Sequence, residues 1–186
     1  MKPIPSQTVG PFFHFITDAA SIGCLVTDST KGERIRLFCR VLDGHGAPVD
    51  DAMIEIWQAN AQGRYNHPDD LQSKELDPGF VGFGRLATDS RGICGFETIK
   101  PGRVPGNDGA LQAPHINVSV FARGVLKRLA TRVYFADDPA NQQDPVLALV
   151  TAGRRPTLLA QLRGEHNHWH FDIHLCGEQE TVFFDI

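Results

Sequence analysis

The sequence of 186 residues lacks the features that mark several large classes of protein. Lysine and arginine number 18 against 22 acidic residues, so the net charge is −4 and no basic stripe predicts nucleic-acid binding. No apolar run approaches the ~18 residues that a membrane span needs, and the N-terminus lacks the apolar stretch of a signal peptide. We therefore expect a soluble protein of the cytoplasm, with neither nucleic acid nor a membrane among its partners.

Cysteine is also sparse. The four cysteines, at positions 24, 39, 94 and 176, lie far apart and include no CxxC pair. Secreted disulfide frameworks are denser than this, so reduced thiols in an intracellular protein are the better interpretation. The chain contains no GxSxG elbow, no P-loop and no GxGxxG after a strand, so no common hydrolase or nucleotide-binding motif is present.

What the sequence does have is short apolar runs separated by turn residues. Residues 34–42 alternate between apolar side chains and arginines, which predicts a strand. Comparable runs predict strands at 52–57, 80–88, 94–99, 115–122, 126–135, 157–162, 168–175 and 181–185. With one short helix expected at 145–150, this pattern predicts an all-β protein of the β-sandwich or barrel type.

The same pattern suggests how the chain is organised. Residues 1–33 form an irregular N-terminal arm, and residues 34–186 form the β-domain. The apolar residues of the arm are expected to pack on a partner chain as well as on this one. Two long loops, 61–79 and 101–114, are rich in turn residues and interrupt the strands. Long loops of a β-scaffold are where functional residues are expected.

A histidine-rich segment near the C-terminus suggests a metal site but lacks the geometry for one. His166, His168 and His170 would point to one face of a strand. Three such positions on a straight strand spread over ~13 Å, too far for one ion with bonds near ~2 Å. Two of them could chelate a metal, whereas three would need a bulge. We therefore favour a polar face of the strand.

Several ordered segments resemble the intradiol ring-cleavage dioxygenases. They are 5–13 (PSQTVGPFF), 56–60 (IWQAN) with 63–65 (GRY), 99–102 (IKPG), 113–124 (APHINVSVFARG) and 177–185 (GEQETVFFD). The resemblance runs from about residue 5 to the end of the chain. It implies a two-sheet β-sandwich with long loops and an extended arm. In catalytic members it also implies one ferric ion held by two tyrosines and two histidines.

At these four positions the sequence keeps only half of the ligands that the resemblance implies. Tyr65 and His115 are present, but Val104 stands where the second tyrosine is expected and Asn117 where the second histidine is. Valine has no donor atom, and a carboxamide does not replace an imidazole on iron. The resemblance therefore implies a non-catalytic chain with a degenerate site, whose Fe(3+) is bound by a beta subunit in a larger alpha–beta oligomer.

The resemblance further implies that this chain completes the substrate pocket of that beta subunit. The residues concerned are Thr8, Gly10 and Pro11 in the arm, and Arg123. A Gly-Pro turn allows a close backbone approach to a substrate, and an arginine can pair bidentately with a benzoate carboxylate. The implied reaction is cleavage of protocatechuate by O2 to 3-carboxy-cis,cis-muconate.

Two other hypotheses remain open. The chain could be a stand-alone, metal-free protein that binds an aromatic acid through Arg123 and the degenerate pocket. It could also be an active homomeric dioxygenase that recruits unusual ligands such as His67 or His168. The first requires a stable protein that binds protocatechuate alone, and the second requires a coloured iron protein that turns over without a partner.

Overall fold

Eight strands make up most of the regular structure in the computed structural model, which describes residues 8, 10, 21–106, 109–164 and 167–185. The strands are β1 (Arg34–Leu42), β2 (Met53–Trp57), β3 (Phe83–Ala87), β4 (Ile93–Ile99), β5 (His115–Phe121), β6 (Leu129–Phe135), β7 (Leu159–Leu162) and β8 (His168–His174). A short helix, α1 (Pro145–Leu149), lies between β6 and β7 and is flanked by two 3-10 turns. The predicted all-β class is confirmed. No helix in the described ranges is both long enough and apolar enough to cross a bilayer.

The strands form a sheet that curls until its two ends nearly meet. Their order is β3-β2-β5-β6-β7-β8-β1-β4. The half β3-β2-β5-β6 faces the half β8-β1-β4, and the short strand β7 joins the halves by pairing with β6 on one side and β8 on the other. The end strands β3 and β4 follow each other in the chain and also contact each other. The sandwich is therefore a flattened, nearly closed barrel.

A segment just before β1 fills the gap between these end strands. Ile22 exchanges backbone hydrogen bonds of 2.8 and 3.0 Å with Arg85 of β3, and Leu25 N–H donates to the Glu97 carbonyl of β4 at 2.9 Å. Leu25 is only 1% exposed. This part of the predicted arm, within 1–33, therefore packs on the sheet of its own chain. Most of the arm before it, Pro11 included, lies outside the described residues.

The core lies between the two halves and follows from the period-2 alternation of the strands. In β1 the side chains of Ile35, Leu37, Cys39 and Val41 are buried while the arginines between them reach solvent. Matching inward positions come from the other strands, among them Ile54, Ile56, Phe96, Ile116, Val118, Val120, Val133, Phe135, Trp169, Phe171 and Ile173. Each such side chain contributes ~1.5–3 kcal/mol when fully buried.

Eight of the nine predicted strands form, and the ninth does not. Residues 181–185 make one isolated bridge, between Phe184 and Ala130 of β6, instead of a strand. The predicted helix at 145–150 forms as α1. Asp144 caps α1 by accepting from the N–H groups of Val146 and Leu147, and Pro145 occupies its first turn.

All four cysteines are free thiols. Cys39 of β1 lies opposite Cys94 of β4 in the register. The hydrogen bond between them, together with burial, raises the pKa of the Cys39 thiol well above its ordinary value. Cys39 is therefore a neutral thiol of the core, which makes it a poor nucleophile.

The two predicted long loops are fastened to each other. The Asn60 side chain accepts hydrogen bonds from the N–H groups of Gln62 and Arg64, both at 3.0 Å, and the Asn60 carbonyl accepts from Gly102 N–H at 2.9 Å. Gly63 has a φ of 80°, and a Cβ there would lie 1.9 Å from the Arg103 carbonyl oxygen. This close approach brings the loop of Tyr65 against the loop that carries Val104.

The Gly63 contact predicts a large cost for adding one methyl group. Gly63→Ala combines a positive φ with a backbone clash, whereas Gly46→Ala has a similar φ of 76° but nothing within 4 Å of the new Cβ. We expect Gly46→Ala to lower the free energy of unfolding by about 1 kcal/mol, and Gly63→Ala by more than about 3 kcal/mol. Urea unfolding of both variants measures the difference, and equal losses would contradict the loop contact.

Candidate functional site

The four positions of the predicted degenerate metal site come together around the outer side of β5. His115 and Asn117 alternate on β5 on the side away from the core between the halves. The antiparallel register places His115 opposite Tyr134 and Asn117 opposite Arg132 on β6. On its other edge β5 pairs with β2, where Trp57 lies opposite Asn117.

Tyr65 reaches this face from the loop after β2. Its ring stacks on that of Trp57, with 5.7 Å between ring centroids and 14° between planes. Asn117 Nδ2 donates to the Tyr65 hydroxyl oxygen at 3.4 Å, and Tyr65 N–H donates to Asp70 at 2.7 Å. Burial raises the pKa of the Tyr65 hydroxyl above its ordinary value. The side chain is therefore a neutral phenol near neutral pH.

His115 is the most enclosed member of the site, at 3% exposure. Its Nδ1 lies 2.8 Å from the Ala113 carbonyl oxygen, whereas its buried Nε2 has no hydrogen-bond partner among the described residues. Burial, assisted by the charge of Arg132, lowers the pKa of His115 from 6.5 to about 4. The ring is neutral at neutral pH, with its Nδ1–H donating to Ala113 and a bare lone pair on Nε2.

Val104 completes the set from the second loop. It is 4% exposed, and its carbonyl accepts a 2.9 Å hydrogen bond from Gln112 N–H. The Gln112 side-chain oxygen accepts from Arg132 Nη1 at 2.6 Å. Arg132 Nη1 also lies 3.4 Å from the Tyr134 hydroxyl, which donates to the buried Asp144 carboxylate at 3.1 Å.

Sequence reasoning missed this second layer of the site. Arg132, Gln112, Tyr134 and Asp144 form one hydrogen-bonded chain behind the four predicted positions. One signal was available: the turn at 123–124 between two predicted strands implies a hairpin that pairs β5 with β6. A two-residue turn there would place Asn117 opposite Ala130, so the register that sets Arg132 opposite Asn117 comes from the structure alone. Gln112 and Asp144 lie outside the strands, so no strand pattern indicates them.

The side chains present do not fit a ferric ion. Val104 has no donor atom, and Asn117 directs an N–H group at the Tyr65 oxygen, whose lone pair a metal would need. A guanidinium group stands beside them. Among the described residues, no group of three or more His, Cys, Asp or Glu side chains is arranged to hold a metal. We therefore assign no metal-dependent step to these residues.

The histidines considered as substitute ligands lie apart. His67 meets the edge of Trp57 at 6.5 Å beside Tyr65, while His168 packs edge-on against Phe38 on the other half of the sheet. His170 stacks on the same Phe38 at 4.9 Å, and His166 lies outside the described residues. In the described part of the chain, His168 and His170 of β8 therefore form a polar face that packs on an aromatic ring.

Two of the four predicted pocket-completing residues, Thr8 and Arg123, lie at the opposite end of the β5–β6 hairpin. Thr8 Oγ1 accepts from Gly124 N–H at 2.8 Å and donates to the Ala122 carbonyl at 3.4 Å. Arg123, which lies between these two residues, pairs through Nε with Asp51, and its side chain is 57% exposed. Gly10 has a φ of 73°, and Pro11 lies outside the described residues. The structure thus brings Thr8 to the turn that carries Arg123.

A groove of about 650 Å³ runs along the outer face of β2, β5 and β6. Two aromatic rings, Trp57 and Phe83, and two arginines, Arg128 and Arg132, contribute to its lining. Asn117 also lines it, so the groove leads to the degenerate site. Ions and small molecules can therefore reach this face of the described structure.

Acidification should destabilise the protein through His115. Between pH 6.5 and pH 4 the unfolded chain binds a proton that the folded chain excludes, so this contribution is complete above pH 6.5 and falls as the pH drops. The expected loss is about 2 kcal/mol at pH 5. Urea unfolding at pH 7 and pH 5 should show a shallower pH dependence for His115→Gln than for the wild type. The exposed His45→Gln is the control, and an unchanged pH dependence in His115→Gln would contradict the assignment.

Known proteins with similar sequences are dioxygenase chains. Residues 9–177 match the family model described as Dioxygenase. The protocatechuate 3,4-dioxygenase alpha chain of Burkholderia cepacia is 40% identical over 201 aligned residues, which cover 100% of this chain and 98% of that relative. The beta chain from the same organism is 38% identical over 184 residues, covering 95% of this chain and 77% of that relative.

A solved structure extends the likeness to three dimensions. The dioxygenase domain of a carbohydrate-binding fusion protein from Streptomyces sp. SirexAA-E superposes with a TM-score of 0.63 at 27% identity, covering 95% of this chain and 99% of that domain. The resemblance that the motifs indicated is therefore confirmed, and the chain belongs to the intradiol ring-cleavage dioxygenase family.

Proposed function

We propose that this chain is the non-catalytic alpha subunit of a protocatechuate 3,4-dioxygenase and completes the substrate pocket of an iron-bearing beta subunit. The observation that carries the proposal is the loss of two of four ligand positions, at Val104 and Asn117, in a chain similar to an alpha chain over its whole length. Relatives of this family occur as separate alpha and beta chains, both of them similar to this one. A chain without its own metal site then serves the reaction through the surface that it presents to its partner.

Arg123 is the residue best suited to that task. Its Nε pairs with Asp51, and within the described part of the chain its two terminal nitrogens make no hydrogen bond. The ion pair fixes the plane of the guanidinium group and leaves its outer edge for a bidentate contact with the substrate carboxylate. Arg123 thus binds and orients the aromatic acid.

Thr8 holds the arm next to this arginine. Its two hydrogen bonds to the β5–β6 turn fix the position at which the chain enters the region of Gly10 and Pro11. Apart from the segment at 22–25, which packs on its own sheet, the arm extends onto the partner chain, and its backbone helps to exclude water from the pocket. The ferric ion of the beta subunit, when bound, supplies the activation of the catecholate toward O2.

A second candidate function is suggested by the groove on the outer face. Its two aromatic rings and two arginines suit a small aromatic acid. A stand-alone binding protein of this kind would take up protocatechuate without a partner and without a metal. Calorimetric titration of the lone chain with protocatechuate tests this alternative directly, since the subunit hypothesis expects no binding there.

Removal of the Arg123 side chain should lower kcat/KM for carboxylated substrates and leave it unchanged for substrates without a carboxylate. In a complex co-expressed with the beta subunit, Arg123→Ala should lower kcat/KM for protocatechuate by about 5- to 150-fold, equivalent to about 1–3 kcal/mol. Catechol, which has no carboxylate, should be cleaved at the same rate by variant and wild type. Steady-state kinetics with both substrates measures the contrast.

Two further variants sharpen this test. Asp51→Asn retains the size of the partner but removes its charge, so we expect a smaller loss, mainly through KM. Arg91→Ala removes an exposed arginine that pairs with Asp89 in the β3–β4 turn, and it should have no effect. Unchanged kinetics in Arg123→Ala would remove this residue from the pocket.

The iron content of the purified proteins tests the subunit assignment itself. The lone chain should contain no iron and no tyrosinate colour, because its own positions lack two of the four ligands. The co-expressed complex should be coloured and contain one iron per alpha–beta pair. Metal analysis with a visible spectrum makes both measurements, and stoichiometric iron in the lone chain would overturn the proposal.

A further inference from the structure

We propose that Arg132 is the resident cation of the degenerate metal site and that its guanidinium group excludes a metal ion from it. The missing ligands at Val104 and Asn117 are then only half of the reason why the site is degenerate. The other half is a positive charge that the chain carries in its own sequence. This inference concerns the chain alone and holds whether or not it serves as an alpha subunit.

The register of the β5–β6 hairpin fixes where the charge lies. Arg132 stands directly opposite Asn117, and the next pair toward the loops is His115 with Tyr134. Directly opposed residues on one face of an antiparallel pair have Cβ atoms roughly 5 Å apart. The guanidinium group therefore belongs to the same small patch of the outer face as two of the four ligand positions.

Hydrogen bonds hold the guanidinium group in this patch. Nη1 donates to the Gln112 side-chain oxygen at 2.6 Å and lies 3.4 Å from the Tyr134 hydroxyl oxygen. Gln112 is itself bound to the carbonyl of Val104, which makes a continuous path from the arginine to a third ligand position. The fourth position, Tyr65, is connected through Asn117.

The positive charge is not neutralised by an ion pair. Within the described residues no carboxylate lies within ion-pairing distance of Arg132, whose nearby partners are an amide and a phenol. The nearest linked carboxylate, Asp144, already accepts from Tyr134 and from the N–H groups of Ala113, Val146 and Leu147. The field of the guanidinium group therefore acts on the ligand positions themselves.

The fixed positive charge of Arg132 shares this face with His115 and with Asn117, which donates to the Tyr65 hydroxyl oxygen. A second cation placed among them would be repelled by the first. The groove lined by Asn117 and Arg132 gives ions a route to this part of the face, where the guanidinium charge opposes them.

Restoration of the missing ligands should therefore fail while Arg132 remains. We expect the full chain with V104Y/N117H to bind Fe(3+) weakly, and V104Y/N117H/R132Q to bind it at least 10-fold more tightly and to develop a tyrosinate-to-iron absorption band. V104Y/N117H/R132K keeps the charge and should resemble the double variant. Bound iron after gel filtration and a titration followed in the visible region measure the affinities.

The comparison between glutamine and lysine decides the matter. Equal iron affinity of the R132Q and R132K triple variants would overturn the proposal. Tight iron binding by the double variant would also overturn it, as would a lack of iron binding by the R132Q triple variant. If V104Y does not fold, N117H, N117H/R132Q and N117H/R132K retain three donors and should follow the same order. If the lone chain is insoluble, the same variants are measured in the complex co-expressed with the beta subunit. There the iron content should rise from one to two ions per alpha–beta pair only in the variant that carries R132Q.

Discussion

The register of the β5–β6 hairpin is the constraint on which both candidate sites depend. Near the end of the hairpin that faces the long loops it sets His115 against Tyr134 and Asn117 against Arg132. At its turn it presents Arg123 and offers the backbone of Ala122 and Gly124 to Thr8. A slip of one residue would turn Val118 and Val133 outward and bury polar side chains in their place, so the core between the halves enforces the register.

The degenerate site is stable because its polar groups are paired without a metal. Buried polar groups are costly unless they are hydrogen-bonded. Here the path from Val104 through Gln112, Arg132 and Tyr134 ends on Asp144, whose carboxylate also caps α1. The bare Nε2 of His115 is the exception, and burial keeps that ring neutral. Together these hydrogen bonds hold the predicted ligand positions in place without a metal.

The two groups of residues lie at opposite ends of the β5–β6 hairpin. The network around Arg132 surrounds the four positions that the family resemblance compares with metal ligands, whereas Arg123 lies at the far end of the same hairpin, exposed and paired with Asp51. In the function proposed above, a chain without its own metal site positions this guanidinium group for a partner. The rigid sheet between the two places gives Arg123 a defined orientation.

The sequence by itself determined eight of the nine predicted strands and, through the family resemblance, the four positions compared with metal ligands. Alternation such as that of 34–42 is local and period-2, and the motifs around Tyr65, Val104, His115 and Asn117 are short and ordered. Only the tertiary structure decided which elements meet. Four features depend on partners far away in the chain. They are the insertion of 22–25 between β3 and β4, the single bridge at 181–185, the position of β7 between β6 and β8, and the contacts of Arg132. Strand pairing across such distances depends on which apolar faces are buried together in the core, and the pattern within one segment does not contain that information.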